Sequence, residues 1–397
     1  SYPARSFLCF YECDKSRRQI MLNPFVPRLR NISLYLHIPF CENKCPYCAF
    51  DSFTPNEGDV DLYLELIEKE VEWWSRRLGR VTFSTCYIGG GTPTTLTGPQ
   101  WLRLTQILDK YFDFKSKAEI TVEANPNSLK TEHLLHWRDW RVNRISLGVQ
   151  SFDDAELIQL GRIHNSAQAH NAISAALAAS FSVSIDLMFG LPKQTFQNWG
   201  RTLKESVASG VQHLSLYQLS FEPGSAWENM PKETLPDGYC PYRWAQWYLP
   251  RKGYMQYEVA NFSRAGRESK HNINYWREGE YLGLGLGASG YLSGWRYKNT
   301  SVFREYSELL RLKKSVIVSG ERLSLDAKSK EAFILALRMS EGINRNDYKN
   351  KYGELNEQNL IKTLRTFPND LYEITKGNIA LTAKGMRVAN IIWTDLI

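Results

Sequence analysis

The stretch "LYLHIPFCENKCPYCAF", residues 34–50, decides the reading of the whole chain. An apolar, strand-like run leads into Cys41, Cys45 and Cys48, and Phe50 and Phe53 restore the apolar character after them. Three thiols packed onto one short loop act as metal ligands far more often than as core residues. The alternatives are zinc and an iron–sulfur cluster. Structural zinc takes four tetrahedral ligands, usually in two paired sets, and no second C-x2-C occurs in this sequence. His37 is near, but it lies within the strand pattern. A single set of three favours a four-iron cubane that keeps one iron without a protein ligand. An open metal position is a place for chemistry. Cys9 and Cys13 repeat the spacing with no third cysteine and no preceding strand, and are read as incidental.

The composition is that of a folded globular protein, and 397 residues suffice for a large domain, or a large one with a small one. No apolar run reaches the roughly 18 residues of a membrane helix. Seven cysteines, an odd number, form no spaced disulfide framework, and "SYPARSFLCFYECDKSRRQI" lacks the layout of a secretory signal. The expected compartment is therefore the reducing cytoplasm. A net charge of +7, spread along the chain, suits an anionic ligand such as a multi-carboxylate and argues only weakly for nucleic acid.

From residue 33 onward short β-branched or aromatic runs alternate with amphipathic stretches. Strands are expected at 34–38, 85–90, 118–124, 144–149, 182–189 and 213–219, with helices at 59–78, 99–111, 129–140, 154–161, 166–180 and 196–209. Alternation without hairpin turns predicts a parallel sheet with right-handed crossovers. Six such units make an α/β fold, a partial, open (β/α)6 barrel of TIM-like type, too short to close with eight strands. Gly89–Thr92, Glu123, Gln150, Asp186 and Gln218 fall at strand C-terminal ends, the edge where parallel α/β folds bind ligands. The cysteine loop opens onto the same edge. Beyond residue 300, helical patterns at 326–339, 344–353 and 355–367 precede a hairpin around Lys376–Gly377. That order predicts a small winged-helix-like α+β module. The expected organisation is a poorly ordered leader over 1–32 with Met21 starting the folded chain, a main domain over 33–300, a connection over 301–320, and the module within 301–397.

C-x3-C-x2-C after a first strand, with Tyr47 before the last cysteine, resembles the radical S-adenosylmethionine (SAM) superfamily motif. "IGGGTPT", "VEANP", "SLGVQSF", "LGRIH", "IDLMFGLPKQT" and "HNINYWREGEYLGLGLGASGY" follow in order. Together they resemble the oxygen-independent coproporphyrinogen III oxidase group over residues 33–300, and the C-terminal module is similar too. The resemblance implies a [4Fe-4S] cluster on Cys41, Cys45 and Cys48 and SAM chelated to its open iron, the cofactor carrying the hard chemistry. It implies SAM contacts at Tyr35, Gly90 and Glu123. Tyr47, Gly91, Thr92, Gln150, Arg162 and Asp186 match further SAM positions, some belonging to a second SAM in the oxidase.

The group divides into true oxidases and a heme-binding HemW branch. Oxidases carry a fourth cysteine two residues after the third; here Ala49 and Phe50 follow Cys48. "HNxxYW" is a hallmark of the HemW branch, and His271, Asn272, Tyr275 and Trp276 are in place. Ile273 and Asn274 stand where two arginines are common. His271 is the expected axial heme ligand, with Cys240, before Pro241, as a second candidate. The resemblance thus implies a chaperone that binds heme and passes it to an acceptor protein. The alternative is oxidative decarboxylation of coproporphyrinogen III. Expected partners are heme and its acceptor, with a membrane-associated acceptor and a homodimer as further expectations, and no nucleic acid.

Overall fold

The computed structural model describes residues 32–396. The expected leader up to residue 31, with Cys9, Cys13 and Met21, lies outside the described residues.

Six strands follow the predicted series: β1 (Ile32–Ile38), β2 (Thr82–Gly90), β3 (Asp113–Ala124), β4 (Arg144–Gln150), β5 (Ser182–Phe189) and β6 (His213–Gln218). Each pairs in parallel with the next, and each connection between them carries at least one helix. Side chains alternate along every strand. Leu34, Leu36 and Ile38 of β1, Ile145, Leu147 and Val149 of β4, and Val183, Ile185 and Leu187 of β5 enter one continuous apolar core with the helices. The intervening residues are polar, and register keeps them on one face: Ser33 opposite Thr85 opposite Glu119, and Glu123 opposite Ser146 opposite Ser184 opposite His213. The apolar face thus packs under helices, while the concave face is polar.

The barrel is open, because β1 and β6 do not pair with each other. β6 continues antiparallel into β8 (Asn261–Ser263) and then β7 (Met255–Gln256). β1 instead takes β9 (Tyr281–Leu284) as a second parallel neighbour, followed by β10 (Ser289–Leu292), β11 (Trp295–Asn299) and β12 (Ile317–Arg322). The result is one 12-stranded sheet. Residues 301–322 do more than connect: the helix Phe303–Arg311 buries Tyr306 and Leu310 in the main core, and β12 completes the sheet edge.

A buried carboxylate ties this extension to the barrel. Glu70, on the helix Asp59–Leu78, accepts from Gly285 N at 2.8 Å, Asn299 Nδ2 at 2.7 Å and Tyr306 Oη at 2.5 Å. Burial pushes its carboxyl up to about 7, against the pull of these donors. Gly285 has φ of +99°, and a Cβ there would stand 2.4 Å from Tyr63 Oη, so no side chain fits.

The C-terminal module has its own core, built on Phe333, Leu337, Leu364, Ile379 and Ile392. Its order is helix Leu325–Leu337, β13 (Ile343–Asn344), helices Arg345–Tyr352 and Glu354–Leu364, then the hairpin β14 (Tyr372–Ile374) and β15 (Asn378–Leu381). The antiparallel order β13-β15-β14 is that of the expected winged-helix-like module. Arg338 joins it to the barrel. Its guanidinium lies 4.3 Å from the Trp276 ring centre and 5.0 Å from that of Trp393, and bridges buried Glu258 at 3.3 Å.

Glu70→Gln turns an amide NH2 toward donors that need an acceptor. Unfolding stability is expected to fall by about 1–3 kcal/mol. Urea denaturation of both proteins checks this, and an unchanged midpoint would show that the carboxylate does not hold the extension.

Candidate functional site

The cysteine loop leaves β1 and is closed by its own backbone. Cys41 N donates to Phe53 O at 3.0 Å, Phe53 N to Pro39 O at 2.9 Å, and Cys48 N to Cys45 O at 3.0 Å. The turn after β2 lies against it, with Gly91 N on Ile38 O and Thr92 N on Phe40 O, both at 2.7 Å. This close approach explains two glycines. A Cβ on Gly91 would meet Phe40 O at 2.5 Å, and Gly90 has φ of +118° so that its N–H reaches Glu123 Oε2 at 2.9 Å.

Between the loop and the C-terminal ends of β2–β6 runs a cleft of about 830 Å³, counting its mouth. All three loop cysteines line it, together with Tyr47, Gly90, Gly91, Thr92, Glu123, Gln150, Arg162 and Asp186. The structure thus brings eleven of the thirteen expected site residues to one surface.

The electrostatics suit a metal centre beside an organic cation. Burial pushes the Cys48 thiol up to about 11 and raises that of Cys41, so without a metal these two stay protonated at neutral pH. A bound metal reverses this, since thiolate is the ligating form. Glu123 accepts from Tyr87 Oη at 2.7 Å as well as from Gly90 N. Burial raises the Asp186 carboxyl, and the charge of Glu123 adds to the rise. Gln150, at the end of β4, has φ of +66°, a conformation that costs a non-glycine residue energy and that recurs at functional sites. Three sulfur ligands on one loop, an adjoining cleft and hydrogen-bond donors to two of the sulfurs fit a cluster held by Cys41, Cys45 and Cys48. Such a cluster supplies one-electron chemistry at an iron open to a second ligand.

Two expected residues lie outside the cleft. Tyr35 is half-buried on β1, its Oη 2.9 Å from His37 Nδ1 and its ring stacked on Tyr87. His271 is buried on the helix Lys270–Trp276, whose first N–H groups bond to Glu119. Thr85 Oγ1 lies 2.7 Å from its Nδ1 and Tyr275 Oη 2.7 Å from its Nε2, so both ring nitrogens are engaged. Burial, with the Arg144 charge adding, pushes the ring down to about 3, and it stays neutral. Cys240 is exposed and is not among the residues lining the cleft.

A sequence model of the radical SAM superfamily matches residues 35–205. "Heme chaperone HemW" of Lactococcus lactis is 34% identical over 374 residues, which are 92% of this chain and 97% of that protein. The chain belongs to the HemW family. "Heme chaperone HemW" of Bacillus subtilis is 33% identical, over 81% of this chain and 87% of that protein. Among solved structures, coproporphyrinogen III oxidase (HemN) from Escherichia coli, titled a radical SAM enzyme, superposes with a TM-score of 0.82. It covers 93% of this chain and 90% of that one at 24% identity, a likeness of fold. The partial open barrel with its C-terminal module is therefore the radical SAM fold of that oxidase, here in a HemW family member.

Sequence reading missed Asn125, Ser146 and Tyr217, which also line the cleft. Asn125 follows Glu123 by two and had a usable signal, since alternation continues past the strand end. Tyr217 was passed over for Gln218, which is exposed and lies beside Gly190 and Gly238. One residue along a strand changes the face.

Two predictions follow from this geometry. After anaerobic reconstitution, Cys41→Ala, Cys45→Ala and Cys48→Ala are each expected to lose the iron, whereas Cys86→Ala and Cys240→Ala retain it; iron and sulfide analysis decides, and tightly held zinc in the unaltered protein would overturn the cluster. For His271, a folded-state pKa below the ordinary value means the fold resists protonation. Stability tied to this ring is lost as pH falls from about 6.5 toward 3, where only the unfolded chain takes the proton. Imidazole NMR should show a neutral ring at pH 5, and titration near 6.5 would show that the ring is open to water.

Proposed function

We propose that this chain is a cytoplasmic heme chaperone, which binds heme and hands it to an acceptor protein while carrying a [4Fe-4S] cluster and SAM. The observation that carries this reading is the match to a "Heme chaperone HemW" along 97% of that relative's length. The absent fourth cysteine, with Ala49 and Phe50 after Cys48, and the retained His271, Asn272, Tyr275 and Trp276 support it.

The division of labour follows from the residues. Cys41, Cys45 and Cys48 would hold the cluster. Glu123, already aligned by Tyr87 and Gly90, offers a carboxylate to an ammonium or ribose hydroxyl. Gln150 and Asp186 present further polar groups across the cleft. For heme, His271 is the proposed axial ligand, and burial keeps it in the neutral form that ligates iron. In the resting conformation its nitrogens are taken by Thr85 and Tyr275, so ligation requires the seven-residue helix Lys270–Trp276 to unseat from Glu119. Heme loading is then coupled to opening of that helix. An acceptor protein and a homodimer are parts of this proposal.

The deciding experiment titrates heme into the reconstituted protein and, in parallel, supplies coproporphyrinogen III with SAM and a reductant under anaerobic conditions. Stoichiometric heme binding is expected, with no protoporphyrinogen formed. His271→Ala is expected to weaken binding by about tenfold or more, ~1.4 kcal/mol, and to shift the heme absorbance. Turnover of the porphyrinogen would establish the oxidase instead. Unchanged affinity and spectrum in His271→Ala would remove His271 as the ligand.

A further inference from the structure

Two of the three loop sulfurs receive a side-chain hydrogen bond. Arg162 Nη1 donates to Cys45 Sγ and Thr92 Oγ1 to Cys41 Sγ, each at 3.5 Å. Both donors are tied to one residue, Asn125. Its Oδ1 accepts from Arg162 Nη2 at 2.7 Å, and its Nδ2 donates to Thr92 Oγ1 at 3.0 Å.

Chemistry fixes the direction of every bond in this chain of contacts. Arginine has no acceptor, so the asparagine oxygen must face Arg162 and its NH2 must face Thr92. The threonine oxygen then accepts from Asn125, and its single hydrogen is left for the sulfur of Cys41. Arg162 is aimed in the same way, because its Nη2 is also held by Gly148 O at 2.8 Å. Thr92 is buried, and its backbone is pinned to Phe40 O. None of these three side chains, Arg162, Asn125 and Thr92, can turn away without breaking a bond of another.

We propose that Asn125 is a positioning residue for the cluster: it aims one charged and one neutral donor at two of the three thiolates, and so sets the cluster's reduction potential. This rests on the reading that Cys41, Cys45 and Cys48 hold an iron–sulfur cluster. An electron added to a cluster increases the negative charge on its sulfurs. Donors directed at those sulfurs stabilise the reduced form and raise the potential. The guanidinium contributes more than the hydroxyl, because its bond is charge-assisted. Asn125 touches neither sulfur and acts only through the other two.

The test is a redox titration of the reconstituted protein without SAM, followed by electron paramagnetic resonance, with iron content measured alongside. Arg162→Met is expected to lower the equilibrium constant for one-electron reduction about tenfold, or about 59 mV. Thr92→Val should shift it the same way by less. Asn125→Ala should shift it the same way by less than the Arg162→Met/Thr92→Val double variant, because the guanidinium stays near by its bond to Gly148 O, and should add nothing when combined with that double variant. A midpoint unchanged in Asn125→Ala at full iron content overturns the proposal, as does a shift that adds in full to the double variant. Should Arg162→Met fail to hold iron, Asn125→Ala and Thr92→Val leave every charged group in place and carry the test. An unaltered protein that assembles no cluster would instead overturn the underlying ligand assignment, and its iron content distinguishes that outcome from a failed bracket.

Discussion

Everything in the barrel depends on a strict division between the two faces of its parallel strands. The apolar set meets the helices, where each fully buried Leu, Ile or Val stabilises the fold by about 1.5–3 kcal/mol. The other set is polar and would cost stability if left unpaired. Much of it is paired: Thr85 with Ser33 and His271, Ser184 with His213, His213 with Tyr257, and Ser146 with Asp186, whereas Thr121 Oγ1 is buried without a hydrogen bond among the described residues. A closed TIM barrel fills its interior with branched apolar side chains. Here the interior is kept for polar contacts, and the core lies outside the sheet.

The site grows out of that division at one end. Polar residues continue along the concave face toward the strand ends, and Glu123, Ser146, Asp186 and Tyr217 reach the cleft from four neighbouring strands. The cysteine loop and the glycine turn supply the remaining wall. HemW family membership and the oxidase-like fold therefore share a physical basis, a concave polar face capped by three thiols.

How much of this was legible depended on range. The six parallel strands, the cysteine loop and most of the cleft were readable because period-2 alternation and strand-end position are local signals. Glu70 meeting Asn299, or Thr85 meeting His271, joins residues about two hundred positions apart, and nothing local marks such a pair. The strands β9–β12 were missed for a related reason: they are short and rich in glycine and tyrosine, so no period develops. Tyr35 shares the strand and face that were expected of it, and its contacts are with His37 and Tyr87.

β1 is an interior strand, with parallel partners on both sides, and the loop that leaves it is sealed at its base by Cys41 and Phe53 backbone bonds. Interior strands are among the last to open in native-state fluctuations. The fold therefore holds its three thiols on a template built by backbone pairing, unlike a zinc finger, whose chain is unfolded without metal. On the proposed ligand assignment, loss of iron would loosen the tip of one loop and leave the barrel standing. Repair of such a centre would then be a matter of docking and need no refolding.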